Sequence, residues 1–216
     1  MGSLLPVLLL LVRHGLTDPT TTRLIGRLPG VSLNARGQGQ ATSAADRVAT
    51  LPVAAIYSSP MERTVQTATP LADRLGLPIR EMPGLVEVDY GEWAGQEFKV
   101  LRKTALWKVV QQQPSSARFP GGESVREAQA RIVAAIEELQ GRHPSEVVAA
   151  YSHSDMIKLA VAHYVGIHLD LYQRIVVSAG SVTALHLGGG PPGLLRLNDV
   201  GSLDDLRPPP ARRGKN

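Results

Sequence analysis

VLLLLVRHGLT, residues Val7 to Thr17, is the stretch whose reading decides the fold. The run Val7 to Val12 is continuously apolar, too short for a long helix, and ends abruptly in Arg13, His14 and Gly15. An apolar run of that length bounded by polar turn residues reads as a central strand of an open α/β sheet, buried on both faces. A second run of the same kind, Val147 to Tyr151, leads into Ser152 and His153. Ligands of such sheets bind beyond the carboxyl ends of the strands, so both histidines are expected on one rim. Gly15 lets the backbone turn sharply after His14. A neutral imidazole beside a fixed cation, Arg13, suits attack on a phosphoryl group, with the guanidinium holding the oxygens.

Working outward, SSPMERTVQTA (Ser58 to Ala68) reads as a strand end followed by a helix start. Ser59 is the expected N-cap, Pro60 fits the first helical position, and Glu62 completes a capping box. Arg63 then falls in the first turn, where free N–H groups and its own charge both favour an anion. In LVEVDYGEWAG (Leu85 to Gly95), Glu87 offers a carboxyl that protonates a leaving oxygen if its surroundings raise its pKa. Asp89 and Glu92 are near neighbours of the same chemistry.

The ordered set RHG, SSPxxR, LxExxxGxW and SHxxxI resembles the histidine phosphatase superfamily, the phosphoglycerate mutase-like group, over nearly all of residues 7 to 200. DYGEWAG, LWKVVQQQPSSARFPGGES and LDLYQRIVV resemble an actinobacterial subgroup of phosphomutase-like proteins within it. The resemblance implies a phosphohistidine nucleophile at His14, a proton donor at Glu87, and a phosphate pocket completed by Arg13, Arg63 and His153. The register of the motif is what selects Glu87 over Asp89 and Glu92. Departures occur in the outer shell. Thr20 stands where relatives carry Asn, Ile25 where a Gln precedes the Gly, and Ser154 where a Gly or Ala follows the second histidine. The first loop is a residue shorter. Thr20 keeps a hydroxyl for the phosphate, and Ser154 either caps the next helix or touches the phosphate. Hydrolysis is favoured over a mutase because the family's mutases carry a longer insertion between the acid and the second histidine. The family's substrates are small phosphorylated metabolites or phosphoproteins, and a small metabolite is the expected ligand, with no cofactor.

Composition narrows the alternatives. The chain has 216 residues, 43% of them hydrophobic, and a net charge of +4. Arg207, Arg212, Arg213 and Lys215 lie in a Pro-rich end without acids, so residues 1–205 balance to zero. The pI of about 9.6 therefore describes a tail, expected to be disordered over residues 206–216, and nucleic acid is not an expected partner. Residues 1–205 read as one domain. The absence of cysteine excludes disulfides and thiolate metal sites. Leu4 to Val12 lacks the basic leader and small-residue cleavage site of a signal peptide, and no apolar run reaches the ~18 residues of a membrane span. A cytoplasmic protein is expected, with no membrane partner and a homodimer as the assembly considered. Neither HxxxH, HxH nor GxxxxGK[ST] occurs, which counts against a zinc hydrolase and a P-loop enzyme. An inert phosphate-ester binder is the remaining alternative.

Along the chain, helices are expected over Ala35–Leu51 (Ala41, Ala45 and Val48 on one face), Pro60–Leu75, Gln96–Gln112, Val125–Gln140 and Asp155–Val165. Further strands are expected at Ala54–Tyr57, weakly at Pro78–Glu81, and two or three within Ile175–Leu197. Alternating strands and helices imply an α/β fold in three layers, a mostly parallel sheet with helices on both faces; one antiparallel strand is implied by the resemblance. Residues 91–120 hold both tryptophans and both phenylalanines. They read equally as a lid over the rim and as packing of a helix onto the sheet. Lys158 is expected to be solvated, and His143, His163, His168 and His186 receive no function.

Overall fold

The structure, a computed structural model, describes residues 6–201. The expected tail at 206–216 lies outside the described residues. Six strands form one sheet: β1 (Val7–Arg13), β2 (Val53–Ser58), β3 (Ile79–Glu81), β4 (Val147–Ser152), β5 (Val182–Leu187) and β6 (Gly193–Asp199), in the order β3-β2-β4-β1-β5-β6. β3, β2, β4 and β1 pair in parallel, whereas β5 runs antiparallel to both β1 and β6. One strand, β5, is thus reversed, as expected. The parallel register places Arg13 beside Ser152, and Ser58 beside Tyr151. β1, β2 and β4 therefore end level, and the residues that follow each strand emerge side by side.

Six helices cover the sheet: α1 (Ala35–Val48), α2 (Glu62–Leu75), α3 (Phe98–Leu101), α4 (Ala105–Gln112), α5 (Val125–Arg142) and α6 (Ser154–Tyr164). Strand side chains alternate between two cores, as a period of two requires. Leu10, Val12, Ile56, Ala149 and Tyr151 pack with α1 and α2. Leu9, Leu11, Tyr57, Val148 and Ala150 pack on the other face with α5, α6 and the aromatic segment. Ala41, Ala45 and Val48 are buried along one side of α1, and the Ser124–Glu127 capping box opens α5. Gly76 ends α2 at φ 64°, a left-handed position that glycine adopts at little cost.

Two expectations about helices are corrected. The helix expected from Pro60 begins at Glu62, with Met61 rather than Ser59 at the N-cap position. Ser59 is instead drawn into a tertiary hydrogen bond described below. The single helix expected over Gln96–Gln112 is two short ones, because the chain turns at Arg102 to Thr104 and the Thr104 hydroxyl accepts from Trp107 N–H to start α4. The break shifts the buried stripe to Leu101 and Val110 and leaves Ala105 exposed.

Candidate active site

The level strand ends assemble the site. His14 follows β1 and His153 follows β4, with ring centroids 5.3 Å apart at an interplanar angle of 61°. The backbone after His14 is tightly held: His14 N–H donates to Ser152 O at 3.1 Å and Gly15 N–H to Thr67 Oγ1 at 3.0 Å. Gly15 also lies against the backbone of Gly37 in α1. A Cβ on Gly15 would collide with Gly37 O, and one on Gly37 with Leu16 O. Close approach is the reason for both glycines. His14 Nδ1 lies 2.7 Å from Gly15 O. A carbonyl only accepts, so the proton sits on Nδ1 and the Nε2 lone pair is left for chemistry. Burial, then the charges of Arg63 and Arg13, lower the pKa of His14 to about 3, so the ring is neutral.

Two guanidiniums flank it. Arg13 Nη1 donates to Val177 O at 2.6 Å. Arg63, 1% exposed, donates through Nη2 to Gly26 O at 2.7 Å and to His153 Nδ1 at 3.2 Å. Since Arg63 can only donate, His153 Nδ1 accepts and carries no proton. Its Nε2–H then donates to Ser59 Oγ at 2.8 Å, the tertiary bond in which Ser59 is engaged ahead of α2. His153 is wholly buried, with both nitrogens engaged, and sits behind Arg63 rather than on the cavity wall. Arg63 Nε, Arg63 Nη1 and Arg13 Nε are buried and have no hydrogen-bond partner among the described residues. Burial lowers the pKa of both arginines, and the Glu87 charge opposes it.

Glu87 is 8% exposed and lines the same cavity, whereas Asp89 and Glu92 do not. Asp89 meets Arg27 and the Gly91 N–H instead. Burial first, then the charge of Asp155, raises the Glu87 pKa to about 7, against the pull of Val88 N–H and the two arginines. The segment is clamped from behind. Arg27 Nε donates to Glu87 O at 2.8 Å, Arg131 Nη1 to Val86 O at 2.8 Å, and both arginines converge on Glu123 Oε1, at 2.9 and 2.6 Å.

Sequence reasoning missed this clamp and also Asp155, whose carboxylate accepts from Tyr90 OH at 2.8 Å and Lys158 Nζ at 3.2 Å. SHSD carried a signal, since an acid two residues after a rim histidine starts the same helix. Arg27, Glu123 and Arg131 lie in separate segments and carried none. Lys158 is a correction: it is not solvated, because it lies one turn above Ser154 on the cavity face of α6, 15% exposed and paired with Asp155.

The cavity holds about 250 Å³. Thr20 and Ser154 both line it. The Thr20 hydroxyl is 2.6 Å from that of Thr17, and Ser154 opens α6 without capping it. The aromatic segment packs as one of the two readings expects, and its rings also border the cavity. Trp93 and Phe119 are buried in the core while Phe98 and Trp107 are half-buried, and all four border the cavity. His143 is structural, its Nε2 2.9 Å from Tyr57 OH. Among the described residues, no three of His, Asp or Glu gather as a metal-binding group.

Comparison with known proteins agrees with this geometry. The family model described as histidine phosphatase superfamily (branch 1) matches residues 9–200. Phosphoserine phosphatase 1 of Hydrogenobacter thermophilus is 27% identical over 197 residues, which is 89% of this chain and 92% of that one. The structure of YhfR from Bacillus stearothermophilus superposes with a TM-score of 0.85 at 26% identity, covering 90% of this chain and 98% of that one. A mycobacterial glucosyl-3-phosphoglycerate phosphatase shares the fold, with a TM-score of 0.81 at 24% identity over 89% of this chain and 99% of that one.

Proposed function

The chain belongs to the histidine phosphatase superfamily (branch 1), and from that premise we propose that it hydrolyses a small phosphorylated metabolite through a phosphohistidine on His14. The observation that carries the reading is the neutral His14, its Nε2 free, set between the buried Arg63, the part-buried Arg13 and a carboxyl that titrates near neutrality. In the first step the Nε2 lone pair attacks phosphorus and the P–O ester bond breaks. The leaving oxygen takes its electron pair and the Glu87 proton. The Nδ1–H to Gly15 O bond stabilises the positive charge that grows on the ring. Arg13 and Arg63 hold the equatorial oxygens through N–H groups that the protein leaves unpartnered, so the two guanidiniums neutralise the charge of the transferring group without a metal ion.

In the second step ionised Glu87 takes a proton from water, whose oxygen attacks phosphorus, and the P–N bond breaks to restore neutral His14. In this reading His153 acts through Arg63, holding that guanidinium from behind, and Thr20 and Ser154, which line the cavity, donate to the phosphoryl oxygens.

A cytoplasmic site of action is part of this proposal, supported by the apolar run Val7–Val12 being spent as the central strand. A labelled substrate quenched in mid-turnover tests the mechanism. The label is expected on His14 as an acid-labile, base-stable adduct, and turnover is expected to vanish in His14→Ala. Label on a serine or carboxylate, or turnover surviving in His14→Ala, would show the mechanism to be wrong.

A further inference from the structure

Beyond the phosphate cradle, the cavity has a second half that faces the alcohol of the ester. Its wall is built of rings held against one another. Trp107 stacks on Trp93 at 6.2 Å and 26°, Phe98 meets Trp107 edge-on at 6.2 Å, and Phe119 meets Trp93 edge-on at 5.5 Å. Mutual packing fixes these rings before any ligand arrives, and a preorganised wall loses little entropy on binding. Trp107 and Phe98 are only half-buried and present ring surface to the cavity.

The cations of this half already have carboxylate partners within the chain. Lys158 donates to Asp155 at 3.2 Å and to Gln173 Oε1 at 3.3 Å. Arg23 is bound to Glu97 at 3.2 Å and to Gly95 O at 3.1 Å. Each lining cation apart from Arg13 and Arg63 is thus tied to a carboxylate of this chain. Gln173 is equally committed, since its Nε2 donates to Tyr172 OH at 2.8 Å. A second anionic group on the substrate would have to share Lys158 with Asp155, which sets two like charges side by side in a largely buried place.

We propose that this half-cavity selects phosphate monoesters of uncharged alcohols bearing an aromatic ring, and discriminates against esters carrying a second anion near the phosphate. The proposal rests on the phosphatase reading above and narrows its substrate class.

Calorimetric binding of non-hydrolysable phosphonates tests it with or without turnover. 3-Phenylpropylphosphonate is expected to bind at least ~10-fold more tightly than 3-phosphonopropionate or 2-amino-3-phosphonopropionate, as burial of one ring allows. Trp107→Ala should erase most of that preference while leaving inorganic phosphate binding unchanged. Asp155→Asn, which releases Lys158, should move the preference toward 3-phosphonopropionate. Tighter or equal binding of either carboxylate ligand, or an equal loss for every ligand in Trp107→Ala, would overturn the proposal.

Turnover of 3-phenylpropyl phosphate against O-phosphoserine and 3-phosphoglycerate completes the test, all three leaving as alkyl oxygens. Hydrolysis without preference for the ring refutes the half-cavity and spares the phosphatase reading. A ring preference in binding with no ester hydrolysed supports the half-cavity and refutes the phosphatase reading.

Discussion

Glu87 gives the sharpest test of the mechanism, because its protonation state changes within the working pH range. With the carboxyl titrating at about 7, its acid form falls from about nine-tenths at pH 6 to about one-tenth at pH 8. For a substrate with a poor leaving group, kcat/KM should therefore fall tenfold per unit above pH 7, on a limb centred at about 7. A bound phosphate dianion adds negative charge beside the carboxyl, so the corresponding limb in kcat lies at higher pH. Asp155→Asn removes the second-largest cause of the shift and should move both limbs toward acid. Glu87→Gln should remove the limb and lower turnover by ~10²–10⁴ for an alkyl ester, with a much smaller loss for p-nitrophenyl phosphate, whose nitrophenolate departs unaided. The assay is initial rates for both substrates from pH 5 to pH 9 in wild type and in Glu87→Gln, Asp89→Asn and Asp155→Asn. A limb that persists in Glu87→Gln would refute the reasoning. A leaving-group-dependent loss in Asp89→Asn alone would move the acid to Asp89.

Arg63→Ala should reduce kcat/KM far more than Lys158→Ala, because Arg63 is placed to make a bidentate contact with the phosphate and Lys158 is spent on Asp155; equal losses by steady-state kinetics would contradict this. Activity should survive EDTA, and a loss that zinc or magnesium restores would disprove the metal-free cradle. His14 has a depressed folded pKa of about 3 against an ordinary 6.5, so its stabilisation is complete above pH 6.5 and is lost as pH falls toward 3. That amounts to about 2 kcal/mol between pH 7 and pH 5, and urea midpoints should show a shallower decline over this interval for His14→Asn than for wild type. Glu123→Ala leaves Arg27 and Arg131 without their shared carboxylate and should cost about 2 kcal/mol of stability. It should also lower kcat for alkyl esters more than for p-nitrophenyl phosphate as Glu87 loses its seat, an asymmetry that a merely structural Glu123 would not produce.

What could be read from the sequence was what local chemistry encodes. The runs ahead of His14 and His153 are apolar enough to be central strands, and the register of β1 against β4 then brings the two histidines together. Arg63 was legible because a strand end, a proline and an acid mark a helix start, even though that start lies two residues later. Ser59 shows where local reasoning stops. Its sequence context is that of a cap, yet the helix starts at Glu62 and the Ser59 oxygen accepts from His153 in a buried tertiary contact. The helix expected over Gln96–Gln112 failed for a related reason: its apolar spacing survives on paper across Arg102–Thr104, where the chain turns. The elevated pKa of Glu87 and its clamp of Arg27, Glu123 and Arg131 arise from residues far apart in the chain, and no spacing rule reaches them.

The unpartnered guanidinium donors carry a consequence for how long such a molecule lasts. A buried donor without a partner costs about 1–3 kcal/mol, and Arg63 alone holds two. A phosphoryl group bound to Arg63 satisfies those donors in the native state alone, and at a hundred times its dissociation constant the ligand stabilises that state by about 2.7 kcal/mol. The melting temperature of this chain is therefore a sensor for its own ligands, and its lifetime in a cell should rise and fall with the phosphorylated pool it serves.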